Sequence, residues 1–326
     1  MGKIRLGIIA PADIAKRRFL PALLKCEEFE FVGIAARSGS EDKAAAVIAE
    51  AGINAKVYEG YESLFSDENV DAVYIPLPPS MHFEWGKKAI LAGKHVFMEK
   101  PFCVNSKETE ELISLAKEKQ LALYENYGCL FHNQLELIDD LVKKGEIGEI
   151  SLIRAAFGFP YRGETDFRYA KDLGGGALLD AGGYCMKIAR HFMGECATVK
   201  YSNLTYGQKH DCDMFGTVVL EDENSLTAQL SFGMNNQYKC ELELWGTKGY
   251  IVAPRIFTAP DNFEPEITVT CGMDKKVYKA KSTDQFAECI KRFGDVINNK
   301  SPREDVYANI LKGSKDLDLV FEKAVR

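Results

Sequence analysis

Positive charge is what this sequence most plainly lacks. Its 326 residues carry 41 Lys and Arg against 48 Asp and Glu, a formal net charge of −7, and no local basic cluster offsets that balance. This excludes the electrostatic footprint of a nucleic-acid partner, which needs a basic face to neutralise phosphates. No apolar run approaches the roughly 18 residues needed to cross a bilayer, so no membrane partner is expected. The opening, Met1-Gly2-Lys3-Ile4-Arg5, runs straight into a strand and leaves no stretch for a secretory signal. The nine cysteines form no CxxC pair and sit mostly in apolar stretches. They read as reduced, buried thiols of a cytoplasmic protein. The five histidines are equally dispersed, and no metal is expected. Internal repeats and low-complexity segments are also missing.

What is present is an ordinary globular mixture, 46% hydrophobic and 27% charged, in a chain too long for one core. Two domains follow. Up to Asn126, apolar strands (4–9, 29–36, near Val57, 72–75, 96–98, 121–124) alternate with helical patterns. That alternation predicts an α/β domain over 1–126, a Rossmann-type doubly wound parallel sheet. Beyond it come a helix (134–144), a strand (150–159), a polar loop (161–169) and the glycine-rich run 173–185 leading into another helix. Residues 198–253 are strand-rich, with 242–249 patterned as a hairpin. Residues 127–304 are therefore expected to form an α+β domain with a large, mostly antiparallel open-faced sheet. A closing helix within 305–326 is expected to pack back on the first domain.

In a dinucleotide fold the turn after the first strand carries G-x-G-x-x-G/A. Here Ala10 and Ala12 fill the first two slots and Ala15 the third. A methyl still permits a tight turn but keeps a pyrophosphate slightly farther from the backbone. The second strand ends in Arg37-Ser38, where an Asp or Glu would otherwise bond the adenosine ribose. A guanidinium and a hydroxyl suit a 2′-phosphate, which points to NADP(H) over NAD(H). The sharpest stretch is His95-Val96-Phe97-Met98-Glu99-Lys100-Pro101. A short buried strand runs into a lysine, and the proline behind it turns the chain at the carboxyl edge of the sheet, where ligands bind. His82, at the end of the Pro76–His82 loop, faces a cofactor or only caps its helix. In the second domain Asp180 and Tyr184 stand four residues apart on one helix face. Arg162 and Arg168 are candidates for a cofactor phosphate or a substrate diphosphate.

Glu99-Lys100-Pro101, the run Gly174–Tyr184 and the two-domain order together resemble the glucose–fructose oxidoreductase / inositol dehydrogenase (Gfo/Idh/MocA) family over nearly the whole chain. The resemblance implies a lysine beside the nicotinamide and substrate, often before a cis-proline. Tyr184 fills a slot that is commonly His. Ala12–Arg18 with Leu20–Leu23, Asp166–Tyr169 and Leu173–Tyr184 are similar to the nucleotide-linked keto-hexose 3-ketoreductases of deoxysugar pathways. The sequence departs from them at Ala10-Pro11, where Gly-Cys is usual, and at Tyr127–His132, where a more aromatic run is usual. The cofactor is expected to meet Ala10, Ala12, Asp13, Ile14, Arg37, Ser38, Leu77, His82, Glu99, Lys100, Asn126 and Arg168.

The reaction so implied is NADP(H)-dependent reduction of a keto-sugar. Tyr184 supplies the proton, Lys100 stabilises the alkoxide, and Asp180 holds a neighbouring hydroxyl or orients Lys100. A homodimer or homotetramer formed through the second domain's sheet is also implied. Two other readings stand beside this one. The same residues run in reverse would make a dehydrogenase of free sugars or trans-dihydrodiols; a cofactor-binding regulator without turnover is the third.

Overall fold

The computed structural model describes residues 2–194 and 196–325. They fall into two compact units. One comprises the residues up to Asn126 with Phe286–Ser314, the other Tyr127–Gln285 with the residues from Lys315 on.

The first unit holds six parallel strands: β1 (Ile4–Ile9), β2 (Phe29–Ala36), β3 (Lys56–Glu59), β4 (Ala72–Ile75), β5 (His95–Met98) and β6 (Leu123–Glu125). Their order is β3-β2-β1-β4-β5-β6, the doubly wound arrangement expected from the alternation. Strands covered on both faces read as unbroken apolar runs, which is why β4 is buried at all four positions. The order reverses between β1 and β4, so the loops that follow these two strands flank the point where such sheets bind ligands.

Directly after β1, Ala10 has φ 68°. This left-handed conformation costs an L-residue about 1–2 kcal/mol and glycine almost nothing. The strain is held by the sheet, since the Ala10 N–H donates to the Ala35 carbonyl at 2.9 Å. Ala10→Gly is therefore expected to stabilise the protein by about 1 kcal/mol, after allowance for the looser unfolded chain. Urea denaturation checks this, and an unchanged or lower midpoint refutes it. The helix beyond the turn is wound as a π-helix over Ala15–Phe19 before returning to α geometry at Leu20–Leu23.

The second unit is built on nine strands: β7 (Ile150–Gly158), β8 (Thr198–Tyr206), β9 (Asp213–Glu221), β10 (Thr227–Gly233), β11 (Lys239–Gly246), β12 (Tyr250–Ala253), β13 (Glu266–Cys271), β14 (Asp274–Lys279) and β15 (Ala324–Val325). Their order is β14-β13-β12-β11-β7-β10-β9-β8-β15. Only β7–β10 and β8–β15 pair in parallel. Along β9 buried and less buried positions alternate, and Val218 and Leu220 turn inward. The helix Gly183–Met193 lies on that inner side, while Phe215, Trp245 and Tyr250 are exposed.

The carboxyl-terminal segments divide differently from the expected 127–304 and 305–326. Phe293 places the helix Gln285–Ile297 with the parallel sheet, its ring 5.4 Å from Phe97 and 6.1 Å from Tyr124. The long helix Arg303–Lys323 belongs to the first unit only as far as Ser314. Beyond it, Asp316 pairs with Arg190 at 2.6 Å, and the Ser202 hydroxyl donates to the Val320 carbonyl at 2.9 Å. β15 then joins β8, so the chain end serves the antiparallel sheet. Among the described residues, no helix is long and apolar enough to cross a membrane. Nor do three His, Cys, Asp or Glu gather among them in a way that could hold a metal ion.

Candidate functional site

Lys100 follows β5, whose Phe97 is anchored in a ring cluster of Phe19 (5.2 Å), Tyr74 (5.6 Å) and Tyr124 (5.2 Å). The residues on either side of the lysine are fastened. On one side the Glu99 N–H continues the ladder to the Ile75 carbonyl at 3.1 Å. Its carboxylate Oε1 accepts from the Tyr74 hydroxyl at 2.6 Å and from Asn126 Nδ2 at 2.7 Å. On the other side the Lys100–Pro101 bond is cis, and the Phe102 N–H donates to Glu125 Oε1 at 2.8 Å. A backbone pinned at both neighbours confines where the ammonium can reach.

The remaining candidates in this unit lie at strand ends, with different exposures. Arg37 and Ser38 are exposed after β2. The Ser38 hydroxyl donates to Glu59 Oε1 at 3.2 Å, a carboxylate brought alongside because β3 pairs with β2. Sequence reasoning missed Glu59, which lies 21 residues from Ser38. Asp13 is exposed and pairs with Arg17 at 2.5 Å. The Leu77 side chain is part of the hydrophobic core. His82 does not match its expected contact with a cofactor. It is wholly buried, with Nδ1 2.9 Å from the Pro101 carbonyl and Nε2 2.7 Å from the Leu77 carbonyl, so no ring nitrogen is left to meet a ligand.

The second unit assembles its own group. Asp180 lies in a π-helical stretch, Leu178–Gly182, and Tyr184 in the α-helix Gly183–Met193 that continues it. A widened turn thus separates two residues expected on one regular helix, a feature that recurs at functional sites. The Tyr184 ring is boxed edge-on by Tyr127 at 5.1 Å and Phe157 at 5.3 Å, with Phe257 at 5.8 Å. Gly183 makes the box possible: a Cβ there would stand 2.1 Å from the Tyr127 hydroxyl. The alternation of β7 marks Phe157 as inward-facing, but only the folded chain brings it to Tyr184.

Arg168, expected at a cofactor phosphate, is paired with two carboxylates. Its Nε donates to Asp180 Oδ2 at 2.9 Å and its Nη1 to Asp166 Oδ1 at 3.0 Å. Burial works against the guanidinium, yet Asp180 and then Asp166 outweigh it and raise its pKa. The guanidinium is thus engaged by two carboxylates of its own unit. What the trio does is hold the Asp180 carboxylate in place. Sequence reasoning found Asp180 and missed Asp166 as its counterpart.

Asp213, at the start of β9, accepts the Leu178 N–H at 2.7 Å and so caps the helical run that carries Asp180 and Tyr184. Nothing in the sequence marks this pair, 35 residues apart. Gly176 lets the carboxylate approach, since a Cβ there would meet Asp213 Oδ1 at 2.4 Å. Burial pushes the Asp213 carboxyl up to about 6, against the opposing pull of the Leu178 amide. An acid whose folded pKa is raised binds its proton longer in the native state. Stability is thus lost as pH rises from the ordinary carboxylate range to about 6, by on the order of 2–3 kcal/mol. Asp213→Asn keeps a carbonyl to accept from Leu178 and never ionises. Urea midpoints measured from pH 4 to 7 are expected to fall more steeply for the native protein than for this variant; parallel curves would discard the assignment.

Comparison with known proteins adds the following. The chain matches the family model described as "Oxidoreductase family, NAD-binding Rossmann fold" over residues 4–127. It matches the "GFO/IDH/MocA C-terminal domain" over residues 135–252. It is 40% identical over 266 residues to a dTDP-3,4-didehydro-2,6-dideoxy-alpha-D-glucose 3-reductase of Saccharopolyspora spinosa, covering 82% of this chain and 79% of that protein. A protein of the same name from Actinomadura kijaniata is 37% identical, covering 92% and 90%. Among solved structures, a 3-ketoreductase from Actinomadura kijaniata in complex with NADP and TDP-benzene superposes with a TM-score of 0.95 at 34% identity, covering 99% of this chain and 98% of that one.

Proposed function

Since this chain belongs to the Gfo/Idh/MocA family of oxidoreductases, we propose that it reduces a nucleotide-linked 3-keto-hexose with NADPH. One observation carries the reading: the likeness to a 3-ketoreductase solved with NADP and TDP-benzene runs over the full length of both chains. The turn after β1 suits a dinucleotide. Ala10 already adopts the left-handed φ of 68° that a glycine would supply, and no side chain at positions 10, 12 or 15 exceeds a methyl. Ala10, its own N–H held by the Ala35 carbonyl, would shape the turn, backbone N–H groups from Ala12, Asp13 and Ile14 would hold the pyrophosphate at the helix start, and Arg37 a 2′-phosphate. Glu59 opposes that phosphate, so Arg37 carries the preference for NADP(H).

When bound, NADPH supplies the hydride that reaches the carbonyl carbon. The chain's own residues manage the oxygen. The Tyr184 hydroxyl gives its proton to the carbonyl oxygen, and the Lys100 ammonium stabilises the negative charge that develops there. Asp180, held by Arg168, accepts from the hydroxyl beside the reacting carbon. The test is NADPH consumption with a dTDP-linked 3-keto-hexose, run beside NADP⁺ reduction with free xylose and a trans-dihydrodiol. Turnover of the first substrate alone supports the reading. Turnover of the others alone favours the dehydrogenase, and NADPH binding without any turnover favours the silent regulator.

We also assign self-association to the open face of the nine-stranded sheet, where Trp245 is 50% and Tyr250 41% exposed on adjacent strands. Light scattering is expected to give a dimer or tetramer; a monomer mass at all concentrations overturns this.

A further inference from the structure

We propose that His82 is a positioning residue for Lys100, its imidazole stapling together the two loops that leave β4 and β5. This rests on the role given to Lys100 above. β4 and β5 are neighbours in register, Ile75 beside Met98, and their ladder runs on as far as the bond from the Glu99 N–H to the Ile75 carbonyl. Past that point β4 leads into the Leu77 loop and β5 into Lys100-Pro101. His82 spans the gap, Nε2 on the Leu77 carbonyl at 2.7 Å and Nδ1 on the Pro101 carbonyl at 2.9 Å. The ring has no other exposure, being completely buried at the start of the helix His82–Leu91.

Carbonyl oxygens accept only, whereas a neutral imidazole offers one N–H and one lone pair. The neutral ring therefore donates to one of the two carbonyls and packs against the other, so it bridges the loops by one hydrogen bond and one close contact. Burial lowers the His82 pKa, the Leu77 and Pro101 carbonyls oppose that, and the nearby Lys100 charge adds to the lowering. Glu99 is already fixed by Tyr74 and Asn126, and Phe102 by Glu125. The Pro101 carbonyl is the link between them, and His82 is what holds it.

The expected signature separates positioning from simple packing. At a temperature well below its own melting point, His82→Ala should lose about 10- to 100-fold in kcat, the effect of a catalytic group displaced by about an ångström. Its Kd for NADPH, read by quenching of the reduced cofactor's fluorescence, should stay within about threefold. His82→Gln, which keeps a donor, should lose less and serves if the alanine variant does not fold. In a Lys100→Ala background the His82 substitution should cost almost nothing more, because the two act as one unit. An unchanged kcat in the single variant, or a full additional loss on top of Lys100→Ala, overturns the inference and leaves the proposed function standing. Undiminished turnover in Lys100→Ala itself would overturn the inference together with the role given to Lys100, while the reaction would stand.

Discussion

Lys100→Ala is expected to lower kcat by about 10²- to 10⁴-fold with little change in thermal stability. The lysine is half-buried at a strand end, so removing its stem opens no core cavity. The backbone around it is retained by bonds that do not involve its side chain, among them Tyr74 to Glu99 at 2.6 Å and Phe102 to Glu125 at 2.8 Å. The fold of the turn should therefore survive while the charge is lost. Lys100→Arg should recover little, because a planar guanidinium cannot take the place of a compact ammonium on the same pinned backbone. Steady-state NADPH oxidation with a circular dichroism melt decides it. Retained turnover in the alanine variant would remove the lysine from the mechanism.

Tyr184→Phe should behave in the same way for a different reason. The phenol oxygen is lost, but Tyr127, Phe157 and Phe257 still surround a ring of the same shape. Edge-to-face contacts of this kind contribute about 0.5–1.5 kcal/mol each and do not depend on the hydroxyl. The expected result is a fall in kcat of about 10²-fold or more, the usual worth of a positioned general acid. The melting temperature should move by no more than a few degrees. A phenylalanine variant with native kcat would mean that another group delivers the proton, and the role of Tyr184 would reduce to packing.

Several features were legible in the residues because they are written in local chemistry. β4 is an apolar run throughout, β1 and β5 are apolar except for Arg5 and His95 near their starts, and a strand covered on both faces has no polar alternation to hide it. The turn at Lys100-Pro101 is equally local, since proline restricts its own φ and the residue before it. Asp180 and Tyr184 stood out for the glycines before them.

What the residues did not reveal depends on chain segments meeting across long separations. Asp213 reaches Leu178 over 35 residues, and Glu59 meets Ser38 only because β3 pairs with β2. Arg168 looked like a phosphate ligand until two carboxylates were found on it, and His82 looked available until two loops were found closed around it. The last helix is one unbroken amphipathic run, so its pattern gives no hint that its two halves serve different units. Periodicity and turn chemistry act within a few residues and settled the elements and their order. Charge balance, burial and the choice of partner are properties of the assembled surroundings, and only the tertiary structure could decide them.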